Sequence, residues 1–516
     1  VVAAAPQQVD DLAVHSLLLA RLDDPTPLPD VPDTHREGIR AYYQAGSDAL
    51  IWVGTSRPAA LIARLQSADT DGLDPTRYPI AALAARQASA GRDTSDRLAE
   101  TELVFSGAFL MFASDLMFGR FAATMNEPSS TPPRSINPIE SLTALGASSS
   151  IETFLAELAP ANPQYVRLRS ALAQYRAIDA HGGWPSVPAG DALEPGARNH
   201  RVPLVRARLQ AEGDLAAGAN GGDAYDPAMV KAVKRFQQRH GLAADGVVSR
   251  ATVAEMNVNA AARVRQILVN MERLRWLQPD LGKRHVRVNV ANYQLFLVED
   301  GVTQDEIAVV VGERDNRTPV LSSEIQYVEF NPYWNVPNSI AVKEELPRLK
   351  RNPAKMEALG FEVLSDGQRL PVSRVDWSAI SKDNFRYTLR QKPGPKNALG
   401  KVKFIFPNAY GVYLHDTSSR RLFGRSARAL SHGCVRVARP VDLAVDVLRD
   451  TPGWGQERIQ AAIAASTNKR VYLAEPFAIH LTYETAWADA DGTAHFIGDI
   501  YDRDKPLAEA LTGTRS

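Results

Sequence analysis

A single cysteine, Cys434, is the only thiol in 516 residues, so no internal disulfide can form and no multi-cysteine metal site exists. Net charge is lacking as well: 59 Lys and Arg balance 59 Asp and Glu. The broad attraction that non-specific nucleic-acid binding relies on is therefore missing, and no nucleic-acid partner is expected. No stretch approaches about 18 consecutive apolar residues, so no transmembrane segment is expected. What remains, 45% hydrophobic and 23% charged residues, is ordinary globular usage, and at about 150 residues per domain the length implies three or so domains. The opening Val1-Val2-Ala3-Ala4-Ala5-Pro6 lacks methionine and carries the small residues usual at a cleavage site, so an exported chain without its signal is expected.

The texture of the chain changes twice, and the expected fold class is multidomain α+β. Residues 1 to 198 read as an α-helical scaffold, with Leu103, Val104, Ala108, Met111, Phe112 and Leu116 at the spacings of a broad buried helix face. The Pro- and Gly-rich run from Gly182 to Gly196 marks its end. Residues 199 to 258 read as a three-helix module: Asp226 caps a helix with Pro227 at its first position, Gly241 stops it after His240, and Ser249 caps the next. A helical connection over 259 to 283 follows. From 284 to 484 the pattern turns to short strands, including 286–290, 294–298, 307–311, 325–330, 403–406, 412–414 and 471–473, which predicts a mainly β domain. Residues about 340 to 400 interrupt it as an inserted capping segment, whose charged run from Lys343 to Arg351 reads as a solvated helix face. Residues 485 to 516 form a C-terminal hairpin about Asp491-Gly492 and a tail.

The chemistry concentrates in Tyr413-Leu414-His415-Asp416-Thr417 and Ser431-His432-Gly433-Cys434-Val435-Arg436-Val437. A thiol attacks as the thiolate, so it needs a nearby base, most often histidine. His432 lies two residues before the cysteine; in an extended segment it points the same way but about 7 Å along, too far for a direct hydrogen bond. His415, 19 residues upstream at the end of another strand, is free to meet the thiol face to face and is assigned as the general base, while His432 is assigned a structural role. Acyl transfer also needs main-chain N–H donors at the developing oxyanion, and Gly433 with Cys434 is the expected source.

These residues resemble the signature of the L,D-transpeptidases, cysteine enzymes of peptidoglycan cross-linking with the YkuD catalytic fold. Phe330-Asn331-Pro332-Tyr333-Trp334-Asn335-Val336-Pro337 resembles a strand and loop of the same domain. The run Ala232-Val233-Lys234-Arg235-Phe236-Gln237-Gln238-Arg239-His240-Gly241-Leu242, with Asp245-Gly246 and Thr252, is similar to a small peptidoglycan-binding module. The order of scaffold, inserted module and catalytic domain resembles the large periplasmic enzymes of Gram-negative bacteria. The resemblance implies that Cys434 attacks the L-centre carbonyl of the third residue of a donor stem tetrapeptide, expels the terminal D-alanine and forms a thioester. An amine of a neighbouring stem then resolves it, with His415 moving the protons.

It further implies that a main-chain carbonyl orients His415, that Tyr413 lines the oxyanion or donor site, and that Ser431, Arg436, Tyr333 and Trp334 lie at the substrate, Ser431 and Arg436 also bracing the motif loop. No cofactor and no metal is implied. The partners implied are stem tetrapeptides and glycan, with cell-wall synthases and carboxypeptidases nearby, in the periplasm, and carbapenems as acylating agents of the thiol. Three other readings stay open from the residues: an L,D-carboxypeptidase in which water resolves the acyl-enzyme, a catalytically idle wall-binding protein, and a cysteine endopeptidase of another fold.

Overall fold

The computed structural model describes residues 10–24, 26, 31, 33–45, 49–122 and 134–513; the opening segment read as the remnant of a trimmed signal lies outside them. A helical scaffold, a small helical module and a mainly β domain follow one another along the chain.

The scaffold is built around the helix Ser95–Phe118, which begins at Thr94, whose hydroxyl accepts from the Arg97 N–H at 3.4 Å, and ends at Gly119 with φ 75°. By length and composition this helix is apolar enough to cross a membrane, although charged residues interrupt its apolar runs. It is instead enclosed, 78% of its most apolar window being buried. Glu102, fully buried on it, accepts from the Tyr43 hydroxyl at 2.6 Å and from the N–H groups of Trp52 and Val53 at 3.1 and 2.9 Å. One carboxylate thus satisfies a turn that would otherwise leave its donors unpaired inside the core.

The module holds three helices, Val202–Ala211, Pro227–Arg239 and Arg250–Met256, with the expected caps: Asp226 accepts from Met229 N at 2.9 Å and Ser249 from Thr252 N at 3.3 Å. Phe236 is fully buried in its core. The module is joined to its neighbours by polar contacts as well as packing. Buried Glu212 accepts from Arg239 at 2.7 Å and Arg208 at 2.6 Å within the module, and from the hydroxyl of Tyr175 on the scaffold helix Pro163–Ala180 at 2.9 Å. Arg239 also donates to Ala494 O, in the C-terminal hairpin, at 3.3 Å.

The helix Ala260–Trp276 clamps the whole. It packs on Pro163–Ala180, while Gln266 donates to Thr485 O and Ile497 O at 2.9 and 3.0 Å, and Asn270 exchanges two 2.8 Å bonds with Thr485.

The β domain is a closed barrel. Its strands run, in spatial order, Val302–Gly312, Val435–Val437, Leu414–His415, Val402–Ile405, Leu321–Phe330, Lys469–Thr482, Arg284–Asn289 and Gln294–Glu299, the last pairing back onto the first; Ala429–Ser431 adds to the edge of Val302–Gly312. Alternation sends Val328, Phe404, Leu414, Val435 and Val437 into the hydrophobic core. The helix Pro440–Val447 packs on that core through Leu443, Ala444 and Val447.

The inserted segment folds as a cap with its own core, a four-stranded sheet of Trp334–Asn335, Thr388–Gln391, Phe361–Ser365 and Gln368–Leu370 beside short helices. Its charged run is largely the solvated face expected, Lys343, Arg348, Lys350 and Arg351 being exposed, with two exceptions. Glu345 is buried and accepts from Arg348 at 3.0 Å, and Glu344 reaches back to His432. Both residues lie in a π-helical turn, Ala341–Glu345.

The Glu212 junction has a measurable strength. Burial alone would raise this carboxyl, but Arg239 and then Arg208 outweigh it and hold it well below the ordinary carboxylate range. Glu212→Gln is expected to cost about 3 kcal/mol in denaturant unfolding. The stabilisation of the parent chain is present above the ordinary carboxylate range and is lost as pH falls toward the depressed value. Equal midpoints for variant and parent at neutral pH would contradict this role.

Candidate active site

Two very short strands create the site. Leu414–His415 and Val435–Val437 run parallel, Leu414 opposite Val435 and His415 opposite Arg436, and Val435 N donates to Tyr413 O at 3.1 Å. One step back along the same register sets Tyr413 beside Cys434. Cys434 and His415 therefore stand as diagonal neighbours on one face, a separation side chains bridge. The same register continues across the barrel: His415 pairs with Lys403, Lys403 with Glu329, and Glu329 with Arg470. Paired residues share a face, so Arg436, His415, Lys403, Glu329 and Arg470 form one polar row over five strands, opposite the core face.

His415 is buried, and its Nδ1–H donates to the main-chain carbonyl of Asp416. A carbonyl only accepts, so this bond fixes the tautomer and leaves Nε2 as the base. Burial pushes the imidazole down to about 3, with Arg436 and Lys403 adding to the effect against the Asp416 carbonyl. The side chain of Asp416 is engaged elsewhere, accepting from Lys401 N at 2.8 Å and Arg420 at 3.1 Å. Gly400 is required at this contact: any Cβ there would fall on the Asp416 carboxylate.

Burial raises the Cys434 thiol, opposed by the Tyr413 main chain, Lys403, the Tyr413 hydroxyl and Arg436. Lys403 Nζ sits 4.1 Å from the centroid of the Tyr413 ring, and its own ammonium is lowered by burial, against Glu329 and Cys434. The thiol thus faces a hydroxyl and two cations. Lys403 gave no motif signal. Its only trace in the sequence is the alternation Lys401, Val402, Lys403, Phe404, in which the apolar partners mark the core face.

The loop before Cys434 is held by internal hydrogen bonds. Gly433 adopts φ 107°, a conformation that favours glycine; its N–H donates to Ser431 Oγ at 3.2 Å and its carbonyl accepts from Thr318 at 2.8 Å. That N–H is engaged within the loop. Ser431 is buried, and its hydroxyl also donates to Cys434 O at 2.5 Å. Its contacts are those of a brace. The Cys434 N–H has no partner among the described residues, and with the Tyr413 hydroxyl it forms the donor set available at the thiol.

The remaining candidates divide. Arg436 lies on the site face with its Nε unpartnered among the described residues. Its guanidinium, lowered by burial, is countered by Cys434 and by Glu344 of the cap. His432 meets the same Glu344, Nε2 to Oε1 at 2.5 Å, a contact between the loop before Cys434 and the cap. Tyr333 lies under Arg390, 4.5 Å from guanidinium to ring centroid, and Trp334 packs edge-on against Phe361. Both rings make these contacts with the cap. Among the described residues no group of three or more His, Cys, Asp and Glu side chains could hold a metal ion.

Comparison with known proteins gives three matches along the chain. Residues 283–454 match the family model "L,D-transpeptidase catalytic domain", residues 37–172 the model "Scaffold domain", and residues 198–256 the model "Putative peptidoglycan binding domain". A Haemophilus influenzae protein named "Putative L,D-transpeptidase" is 34% identical over 243 residues, 47% of this chain and 48% of that protein. The match spans about half the length of this curated relative. Two solved L,D-transpeptidases, from Xylanimonas cellulosilytica and Stackebrandtia nassauensis, align over 57% and 58% of this chain and 99% and 96% of their own. Their identities are 17% and 14% and their TM-scores 0.19 and 0.21, too low to bear on the fold.

The cations around the thiol make a prediction. Lys403→Met removes a charge that favours the thiolate, so the pH midpoint for iodoacetamide alkylation of Cys434 should move up by about one pH unit. Intact mass after timed quenching measures it. An unmoved or lowered midpoint would show that Lys403 does not act on the thiol.

Proposed function

For a chain that carries an L,D-transpeptidase catalytic domain together with a scaffold domain and a peptidoglycan-binding domain, we propose that Cys434 forms a thioester with the third residue of a stem tetrapeptide and passes it to an amine on a neighbouring stem. The observation that carries this reading is the diagonal placement of Cys434 and His415 on the one polar face of the barrel, with Tyr413, Lys403 and Arg436 around them.

The electrostatics shape the mechanism. The thiol is raised and the imidazole lowered, so the resting pair is neutral thiol and neutral imidazole, not a standing thiolate and imidazolium. His415 Nε2 takes the thiol proton as sulfur bonds to the carbonyl carbon. Charge then develops on the carbonyl oxygen, where the Cys434 N–H and the Tyr413 hydroxyl are the nearest donors. Collapse breaks the C–N bond to the terminal D-alanine, whose nitrogen receives the proton from His415. In the second half the acceptor amine gives its proton to the same Nε2 and attacks the thioester, and the thiol leaves with that proton. Each half returns His415 to its neutral state.

The setting belongs to the same proposal. Donor tetrapeptides come from a carboxypeptidase that trims pentapeptides, the product is a link between third residues that shapes the wall, and the enzyme works in the periplasm beside the synthases that lay down new strands. Carbapenems would acylate Cys434 as substrate mimics.

Mass spectrometry of disaccharide-tetrapeptide incubated with the protein tests this. A dimer lacking one D-alanine is expected, absent with Cys434→Ala and formed about 10²- to 10⁴-fold more slowly with His415→Ala. Tripeptide without dimer would replace transpeptidation by carboxypeptidation, and unchanged substrate would leave a wall-binding protein.

A further inference from the structure

Away from the thiol, a groove of about 910 Å³ runs where three parts of the chain meet, within the size range of ligand sites, about 300–1,000 Å³. The end of the module's helix Pro227–Arg239 and the turn after it form one wall, the barrel turn at Tyr293 with the segment Phe423–Arg428 forms another, and the C-terminal hairpin closes the third side. We propose that this groove binds the glycan strand of peptidoglycan, a β-linked chain of N-acetylated hexoses, while the stem peptide is processed at Cys434. The inference rests on peptidoglycan being the substrate.

The first argument is a rigid aromatic plate. Trp487, half-buried on the strand Ala486–Ala488, lies flat on His495, ring centroids 4.9 Å apart and planes within 12°. His495 is held in turn by Asp489, Nε2 to Oδ2 at 2.7 Å. An indole fixed on one side offers its remaining surface to the flat apolar face of a hexose, and the neighbouring carboxylate is an acceptor for sugar hydroxyls.

The second argument is that the wall is preformed. Arg428 donates to Val309 O and Tyr293 O, each at 3.1 Å, and lies over the Tyr293 ring. Tyr293 itself sits at φ 60°, a conformation rare for an aromatic residue and costly unless the surroundings hold it. On the opposite side, His240 is stacked on Phe236 at 4.0 Å within the module.

The third argument is the character of the lining. Arg425 and Arg428 face Glu255, Glu306 and Asp489 around the same space, a balance that suits an uncharged polyol and not a strongly charged polymer. Finally, a wall contributed by the peptidoglycan-binding domain and one contributed by the segment between His415 and Cys434 would let a single polymer touch both.

The test is calorimetric titration of the full chain with a β-1,4-linked N-acetylglucosamine hexamer. Saturable binding is expected, weakened about tenfold or more by Trp487→Ala and equally by Ser426→Trp, which adds bulk at an exposed groove position; melting curves matching the parent show that the variants fold. Acylation of Cys434 by free tetrapeptide, followed in parallel, should be unchanged. Absence of hexamer binding, or binding that both folded variants retain, overturns the glycan groove while acylation leaves the proposed reaction standing. Hexamer binding that depends on both positions, with no acylation by tetrapeptide, upholds the groove and removes the reaction.

Discussion

Parallel pairing of Leu414–His415 with Val435–Val437 is the constraint on which the site depends. The two strands hold two and three residues, and a segment that crosses to the far edge of Val302–Gly312 through Ala429–Ser431 separates them. Parallel neighbours cannot be joined by a tight turn, so this excursion is a requirement of the topology. It also delivers Ser431 and Gly433 to the approach of Cys434, where Ser431 ties the loop to itself. A slip of one residue in this register would turn His415 into the core and Leu414 onto the polar face.

Once the register is set, the barrel supplies the electrostatics. The polar row from Arg436 to Arg470 alternates cations with Glu329 and a neutral imidazole, and partial burial magnifies each charge on its neighbours. Burial works against ionisation of both thiol and imidazole, while Lys403, Arg436 and Tyr413 favour the thiolate. The result is a thiol on which burial and the neighbouring cations act in opposite directions. The cap meets this face through Glu344, whose carboxylate stands by both His432 and Arg436, so the approach to the thiol is defined by two subdomains.

The other domains are joined to the barrel by buried polar contacts at particular atoms. Glu212 and Arg239 link scaffold, module and C-terminal hairpin, and the helix Ala260–Trp276 fastens the hairpin through Gln266 and Asn270. Such contacts are directional, and removing one partner leaves a buried group unsatisfied. They fix how the module faces the barrel, and the groove between them follows from that orientation.

Much of this was legible in the order of residues. The single thiol, its flanking Ser431-His432-Gly433 and the upstream His415 mark the chemistry, because a nucleophile, a base and a left-handed glycine leave a local imprint. The caps at Asp226 and Ser249, the stop at Gly241 and the period-two strands are likewise local, set by hydrogen bonds and side-chain alternation within a few residues. Lys403, the reach of Glu344 to His432 and the groove beside Trp487 were not legible. Each depends on strand register or domain docking between segments tens to hundreds of residues apart, and no spacing along the chain encodes which side chains such pairings bring together. The sequence by itself determined which residue types stand at the site and what local structure each segment takes; the tertiary structure alone decided which charges surround the thiol and which segments border the groove, because those are properties of contacts that exist only once the barrel closes and the domains dock.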